Sequence, residues 1–191
     1  MKKVEHGKTF DRNAANPPAF EIFHNTVTEG YPKHWHTAIE IIMPTRGEYE
    51  VVVGKDSYNL KEGDIIMINS GVVHGMRFVS QGERIVMLVE PGCVENQEEI
   101  ETIFLRLPAI YFKKEDEEDP FYLFLRSQIL ELVREYDNEG AVMTHRICTG
   151  LKELFSEFGR KGFSDANAQN TFGAMKQQEY IEAVLSACRY I

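Results

Sequence analysis

His34-Trp35-His36-Thr37-Ala38-Ile39-Glu40, with His74 further along, is the stretch on which the reading of this chain turns. Side chains alternate between the two faces of a strand, so an extended run here predicts His34, His36, Ala38 and Glu40 on one face and Trp35 on the other. Two imidazoles and a carboxylate do not suit a plain apolar core, because an ionisable side chain without a partner is costly to bury. They suit two other settings. One is a divalent metal centre (Zn, Ni, Fe or Mn), with nitrogen and oxygen ligands at roughly 2.0 to 2.2 Å and His74 closing the set from a second strand. The other is a metal-free, hydrogen-bonded polar cluster lining a small-molecule pocket. Residue type leaves both open, and in both His34, His36, Glu40 and His74 are the candidate metal and ligand-binding residues.

The text around this stretch is a series of short β-rich runs separated by turn signals. Phe20 to Phe23 comes first, then Ala38 to Met43 before Pro44-Thr45-Arg46-Gly47, and Tyr49 to Val53 before Gly54-Lys55-Asp56. Tyr58 to Leu60 precedes Lys61-Glu62-Gly63-Asp64, and Ile65 to Ile68, Met76 to Val79 and Ile85 to Val89 follow. Short strands at this spacing predict a β-barrel or sandwich rather than βαβ units. Trp35, alternating with the histidines, is expected to pack under the helices that come later.

After Pro91-Gly92 the period changes to that of helices. Ile100, Ile103, Phe104 and Leu107 fall at i, i+3, i+4 and i+7, which predicts one helical face. Asp119-Pro120 reads as an N-cap followed by proline at the first helical position. Phe121, Phe124, Leu125, Leu132, Val133 and Tyr136 form the stripe of that helix, which Asp137-Asn138-Glu139-Gly140 ends. A third helix carries Ile147, Cys148, Leu151, Leu154, Phe155 and Phe158 and stops at Gly162. A polar linker, Ser164 to Asn170, leads to a last helix with Ile181, Val184, Leu185 and Cys188. The expected organisation is an arm over 1–17, a barrel over 18–92, a helical segment over 93–163, and a linker with the start of a further domain over 164–191. Helices this apolar exceed what a small barrel can cover, which predicts a symmetric homodimer through them.

At 191 residues the chain supports one main core with an appended helical segment. A formal charge of −9 opposes nucleic-acid binding by this chain, since phosphate contacts need clustered Lys and Arg. No run approaches the ~20 apolar residues of a transmembrane helix, and no apolar run follows the basic N-terminus, so a cytoplasmic protein is expected. Cys93, Cys148 and Cys188 are odd in number and widely spaced, which speaks against a disulfide framework or a thiolate metal site. His6, His24 and His145 lack neighbours at ligand spacing and are read as surface or loop residues. The acidic run from Glu115 is read as a solvated loop.

Gly30-x3-His34-x-His36-x3-Glu40-x6-Gly47 and Gly63-x5-Asn69-x-Gly71-x2-His74 resemble the paired motifs of the cupin superfamily. In that family the matching three histidines and glutamate are the usual metal ligands. Asn69 stands where the second motif usually has proline, and Phe78 where it usually has asparagine. The resemblance implies a mainly β fold, a jelly-roll-like barrel followed here by a C-terminal helical segment. Within the superfamily, His34 to Ile42, Tyr58-x-Leu60-Lys61-x-Gly63-Asp64-Ile65 and Ile68-Asn69-Ser70 through His74 look like the N-terminal sensor domain of AraC/XylS-type transcription regulators. In those regulators helices after the barrel form the dimer interface. Ile181, Val184, Leu185 and Tyr190-Ile191 are similar to the opening of the family's DNA-binding domain. The resemblance thus implies a non-enzymatic, homodimeric sensor of a small organic effector, with DNA contacted only through a helix-turn-helix domain that this chain lacks. The alternatives are a metal-dependent cupin enzyme (dioxygenase, isomerase or epimerase) using the same four residues, and a stand-alone cupin binding protein.

Overall fold

Alternation of apolar and other side chains drives two sheets face to face. In the computed structural model, which describes residues 19–26, 30–90, 109–114, 118–138 and 140–161, the elements run in chain order. They are β1 (Phe20–Asn25), β2 (Tyr31–His34), β3 (Ile39–Arg46), β4 (Tyr49–Val53), β5 (Asp56–Leu60), β6 (Ile65–Ile68), β7 (His74–Phe78), β8 (Glu83–Val89), β9 (Ala109–Phe112), α1 (Pro120–Asp137) and α2 (Met143–Lys161). The larger sheet has the order β1-β8-β3-β6-β9 and the smaller β2-β7-β4-β5, with every pairing antiparallel. The expected mainly β fold with helices after the barrel is what the chain adopts.

Strand parity divides the core in two. On β3, Ile39, Ile41 and Met43 face outward from the larger sheet, with Ile65 and Met67 of β6 and Ile85, Met87 and Val89 of β8 beside them. Ile42, Ile66 and Ile68 point inward, where they meet Tyr49, Val51, Val53, Leu60 and Met76. Each fully buried side chain of this size stabilises the fold by about 1.5–3 kcal/mol relative to exposure. A shift of one residue in any strand would exchange the two sets.

Both helices lie on the outward face. Asp119 caps α1 by accepting from Phe121 N (2.9 Å), with Pro120 at the first position, as the sequence predicts. The buried stripe of α1 is Tyr122, Leu125, Ile129 and Leu132, with Phe121, Val133 and Tyr136 packed at its flank. It is thus centred one residue away from the expected one, and Tyr122 anchors it by donating to Gly63 O (2.8 Å). Ile147, Leu151, Leu154, Phe155 and Phe158 of α2 are buried in the same cluster. The apolar stripes of both helices are covered by the outer face of the larger sheet within one chain.

Two further expectations change. Ala109–Phe112, placed in the helical segment, is a strand paired with β6. Ile110 and Phe112 pack against the outer cluster and Ala109 and Tyr111 against the inner one. The turn expected at Pro44 begins later, because β3 continues to Arg46 through a register irregularity between Pro44 and Arg46. Pro44 still pairs with Arg84 of β8 but lies past the last β6 partner of β3, where the β6 ladder has ended. The turn falls instead at Gly47 (φ 79°), where an added Cβ would lie 2.8 Å from Gln81 O.

The arm 1–17, the helix through Ile100 and Leu107, Cys93, Gly162, and everything from Ser164 to Ile191 lie outside the described residues. Cys148 is half-buried on α2. No helix among the described residues is long and apolar enough to cross a membrane.

Candidate metal centre

The four candidate residues come from three strands and a loop. His34 closes β2, Glu40 is the second residue of β3, His74 opens β7, and His36 sits in the loop between β2 and β3. Residues 34 to 40 are therefore not one continuous strand, and simple alternation does not explain their convergence. What brings them together is pairing and loop anchoring. His34 is the direct register partner of His74. The loop before β7 is tied to the loop before β3 by Gly71 N donating to His36 O (2.8 Å) and Ser70 Oγ to Thr37 O (2.5 Å). The candidate ligand atoms all lie within 4.8 Å of one another.

Backbone carbonyls orient the rings. His34 Nδ1 donates to Pro32 O (2.9 Å), His36 Nδ1 to Ala38 O (2.9 Å) and His74 Nδ1 to Val72 O (2.7 Å). A carbonyl only accepts, so each Nδ1 carries the proton and each Nε2 is left facing the cluster. His36 Nε2 lies 3.0 Å and His74 Nε2 2.8 Å from the same Glu40 Oε2. Without a metal, those contacts are attractive only when Nε2 is protonated and donates to the carboxylate. With a metal, the Nε2 lone pairs and the carboxylate would all serve as ligands, and the carbonyls would be the outer partners that fix ring orientation. The donor set, its common tautomer and its burial fit a divalent cation with nitrogen and oxygen preference.

The electrostatics follow from burial opposed by pairing. Burial pushes the Glu40 carboxyl up, but its hydrogen bonds to His36 and His74 and their charges prevail and bring it down to about 2. Burial likewise opposes the charged form of His74, yet the Glu40 hydrogen bond and charge prevail and raise it above the usual histidine value. His34, without a bond to Glu40, is lowered, chiefly by burial and further by the charge of His74.

Other expectations fare differently. Trp35 stands 40% exposed on the β2–β3 loop instead of packing under the helices, because the helices cover the opposite sheet. His24 lies on β1, half-buried, with Nε2 3.8 Å from Glu83, and so is neither a loop nor a fully exposed residue; His145 is exposed on α2. The sequence reading missed Arg84. It is fully buried on the inner face of β8, its Cζ 4.9 Å from the Tyr49 ring centroid and 5.7 Å from that of Tyr31. The signal was present: in Arg84-Ile85-Val86-Met87, Ile85 and Met87 face the helices, so Arg84 takes the inward parity.

Comparison with known proteins agrees with this architecture. The cupin domain family model matches residues 25–90, the span that holds all four candidate ligands. No curated protein matches the sequence. Among solved structures, apo ToxT from Vibrio cholerae is similar in fold, with a TM-score of 0.50 and 13% identity over 76% of this chain and 58% of ToxT. A conserved Streptococcus pyogenes protein of unknown function gives a TM-score of 0.34 and 18% identity over 38% of this chain and 63% of that one. An oxalate decarboxylase variant from Bacillus subtilis gives 0.34 and 18% over 42% of this chain and 22% of the enzyme. The chain thus spans less than two thirds of the length of each. The paired motifs, the two antiparallel sheets and the family match together identify residues 25–90 as a cupin domain.

Proposed function

We propose that the chain is the effector-sensing part of an AraC-family transcription regulator. Its barrel holds a divalent metal at His34, His36, Glu40 and His74 and takes up a small organic molecule beside it. The observation that carries this reading is the set of three imidazoles whose Nδ1 atoms are held by backbone carbonyls, so that their Nε2 atoms meet Glu40 inside the barrel. A bound metal would supply a local positive charge able to attract an electron-rich oxygen of the effector. The chain's own residues do the rest: the histidines present lone pairs in a fixed direction, and Glu40 supplies the compensating negative charge.

An effector shifts a regulator only through its differential affinity for two states. In this reading the responding elements are the arm over 1–17 and the two helices on the outer sheet. Leu123 and Leu130, seven residues apart on the exposed side of α1, and the exposed Val142 support a homodimer through the helices. DNA contact is left to a helix-turn-helix domain outside these residues, consistent with the charge of −9.

A second reading, a metal-dependent cupin enzyme (dioxygenase, isomerase or epimerase), is favoured by the complete set of ligand-type residues. Native mass spectrometry of the tag-free chain separates the two. The sensor reading expects a dimer that carries one metal per chain and retains a small organic adduct unchanged on incubation. Conversion of the adduct would favour the enzyme, and a monomer with neither metal nor adduct would overturn the sensor reading.

A further inference from the structure

The four candidate ligands are not equally anchored. Glu40 sits on β3, which runs between β8 and β6, and His74 on β7, which runs between β2 and β4. The loop that carries His36 is tied down by Gly71 and Ser70. These three side chains are buried, and Glu40 Oε2 joins both imidazoles. His34 differs on each count. It ends β2, the outer strand of the smaller sheet, whose other residues Tyr31, Pro32 and Lys33 are exposed. Two register pairs hold β2 on β7, Tyr31 with Met76 and His34 with His74, and an irregularity separates them.

The His34 ring is oriented by its own strand. Its Nδ1 donates to Pro32 O two residues back (2.9 Å), so the ring travels with β2. Withdrawing His36 or His74 would strip the buried Glu40 carboxylate of a hydrogen-bond partner, which is costly in a buried setting. Withdrawing the half-buried His34 costs Glu40 no hydrogen bond and turns an imidazole toward water at an exposed edge. The start of β2 is pinned, because Tyr31 Oη accepts from Asn25 Nδ2 of β1 (3.3 Å) and the Tyr31 ring lies 5.7 Å from Arg84 Cζ. An edge strand fixed at its first residue, with few buried side chains, opens locally at low cost from its other end.

The geometry points to His34 as the exchangeable ligand of the centre: an oxygen donor of the effector takes its place, and the end of β2 that carries it is released. The proposal rests on the reading of the four residues as a metal centre in a sensor, and it supplies the regulation of that centre. In the exchange the bond to His34 Nε2 breaks and a bond to the incoming oxygen forms, with no electron gained or lost and the imidazole leaving neutral. His36, Glu40 and His74 remain as the fixed set. Because Asn25 and Tyr31 join β2 to β1, the first strand after the arm over 1–17, release of His34 reaches the N-terminal side of the barrel.

The test is long-range nitrogen–proton NMR of the zinc-loaded, tag-free 191-residue chain, with acetohydroxamate, a donor of two oxygens, as the probe. Without the probe, Nε2 of His34, His36 and His74 should all show the zinc-bound shift. With saturating acetohydroxamate, His34 Nε2 should return to its free position while the other two hold, and amide exchange at Lys33 and His34 should quicken about threefold or more. Zinc affinity should fall about tenfold in His34→Ala and about a hundredfold or more in His74→Ala. His34→Gln, which keeps bulk on β2, serves where His34→Ala does not fold. Three imidazoles retained with acetohydroxamate bound, loss of His36 or His74 in place of His34, equal losses of affinity in the two variants, or no binding of acetohydroxamate would each overturn the proposal and leave the metal centre standing. A chain that takes up no zinc would remove both.

Discussion

Glu40→Gln in metal-free protein isolates the charge at the centre of the barrel while nearly conserving volume. Glu40 falls from its ordinary value of 4.5 to about 2. At 1.36 kcal/mol per unit, this depression corresponds to about 3 kcal/mol of coupling to its histidine partners, as an order of magnitude. The sign depends on pH. The contribution of a depressed carboxylate is present above its unfolded value and is lost as pH falls toward about 2. That of His74, whose value is raised, is complete below its unfolded value of 6.5 and is lost as pH rises through the folded one. Both are present between about pH 4.5 and 6.5. With EDTA present, Glu40→Gln should therefore lower Tm by about 6–12 °C at about pH 5.5. The penalty should shrink at alkaline pH, where a neutral His74 Nε2 can accept from the glutamine amide. Differential scanning calorimetry across pH reads this directly. An equal loss at every pH would show that the cost comes from packing and not from the charge of Glu40.

Metal binding should run the opposite way with pH, because Nε2 must lose its proton to become a ligand. Zinc affinity measured by competition titration should rise from about pH 6 to about pH 8, with proton release in calorimetry done in buffers of different ionisation enthalpy; affinity flat in pH would count against Nε2 ligation. Leu151→Ala removes a fully buried side chain of α2 from the cluster under the larger sheet and should cost about 2–5 kcal/mol in urea unfolding, while leaving the ligand set intact. Asp119→Ala removes the α1 cap and should cost about 1 kcal/mol in the same assay. Asp64→Ala should cost more than the cap does: its buried carboxylate accepts from Lys61 N (2.9 Å), Tyr111 Oη (2.6 Å) and Lys114 N (2.7 Å), and so fastens β9 to the sheet.

Much of this architecture is legible in the sequence because one face of each long strand is apolar. The hairpin at Gly54, the Asp119-Pro120 start of α1 and the stripe of α2 all follow from local chemistry. Two strands are hidden for different reasons. In β2, Tyr31-Pro32-Lys33 is an exposed edge, so no burial pattern marks it. The run Ala109-Ile110-Tyr111-Phe112 is apolar on both faces and too short for periodicity to separate strand from helix. The ligand set is legible as residue types and spacing, but not for the reason that alternation offers. His36 reaches Glu40 from a loop whose path is set by hydrogen bonds to residues 70 and 71, which no pattern within 34–40 encodes. Arg84 was hidden by its charge, since a buried guanidinium is an exception to the expectation that arginine faces solvent.

X-ray absorption spectroscopy of the zinc-loaded, tag-free chain reads whether three imidazoles and one carboxylate in the barrel bind a divalent metal. The expected spectrum has a nitrogen and oxygen shell at roughly 2.0–2.2 Å with the outer scattering of three imidazoles, reduced to two in His74→Ala. A shell of oxygen alone, or imidazole scattering unchanged in His74→Ala, would contradict it.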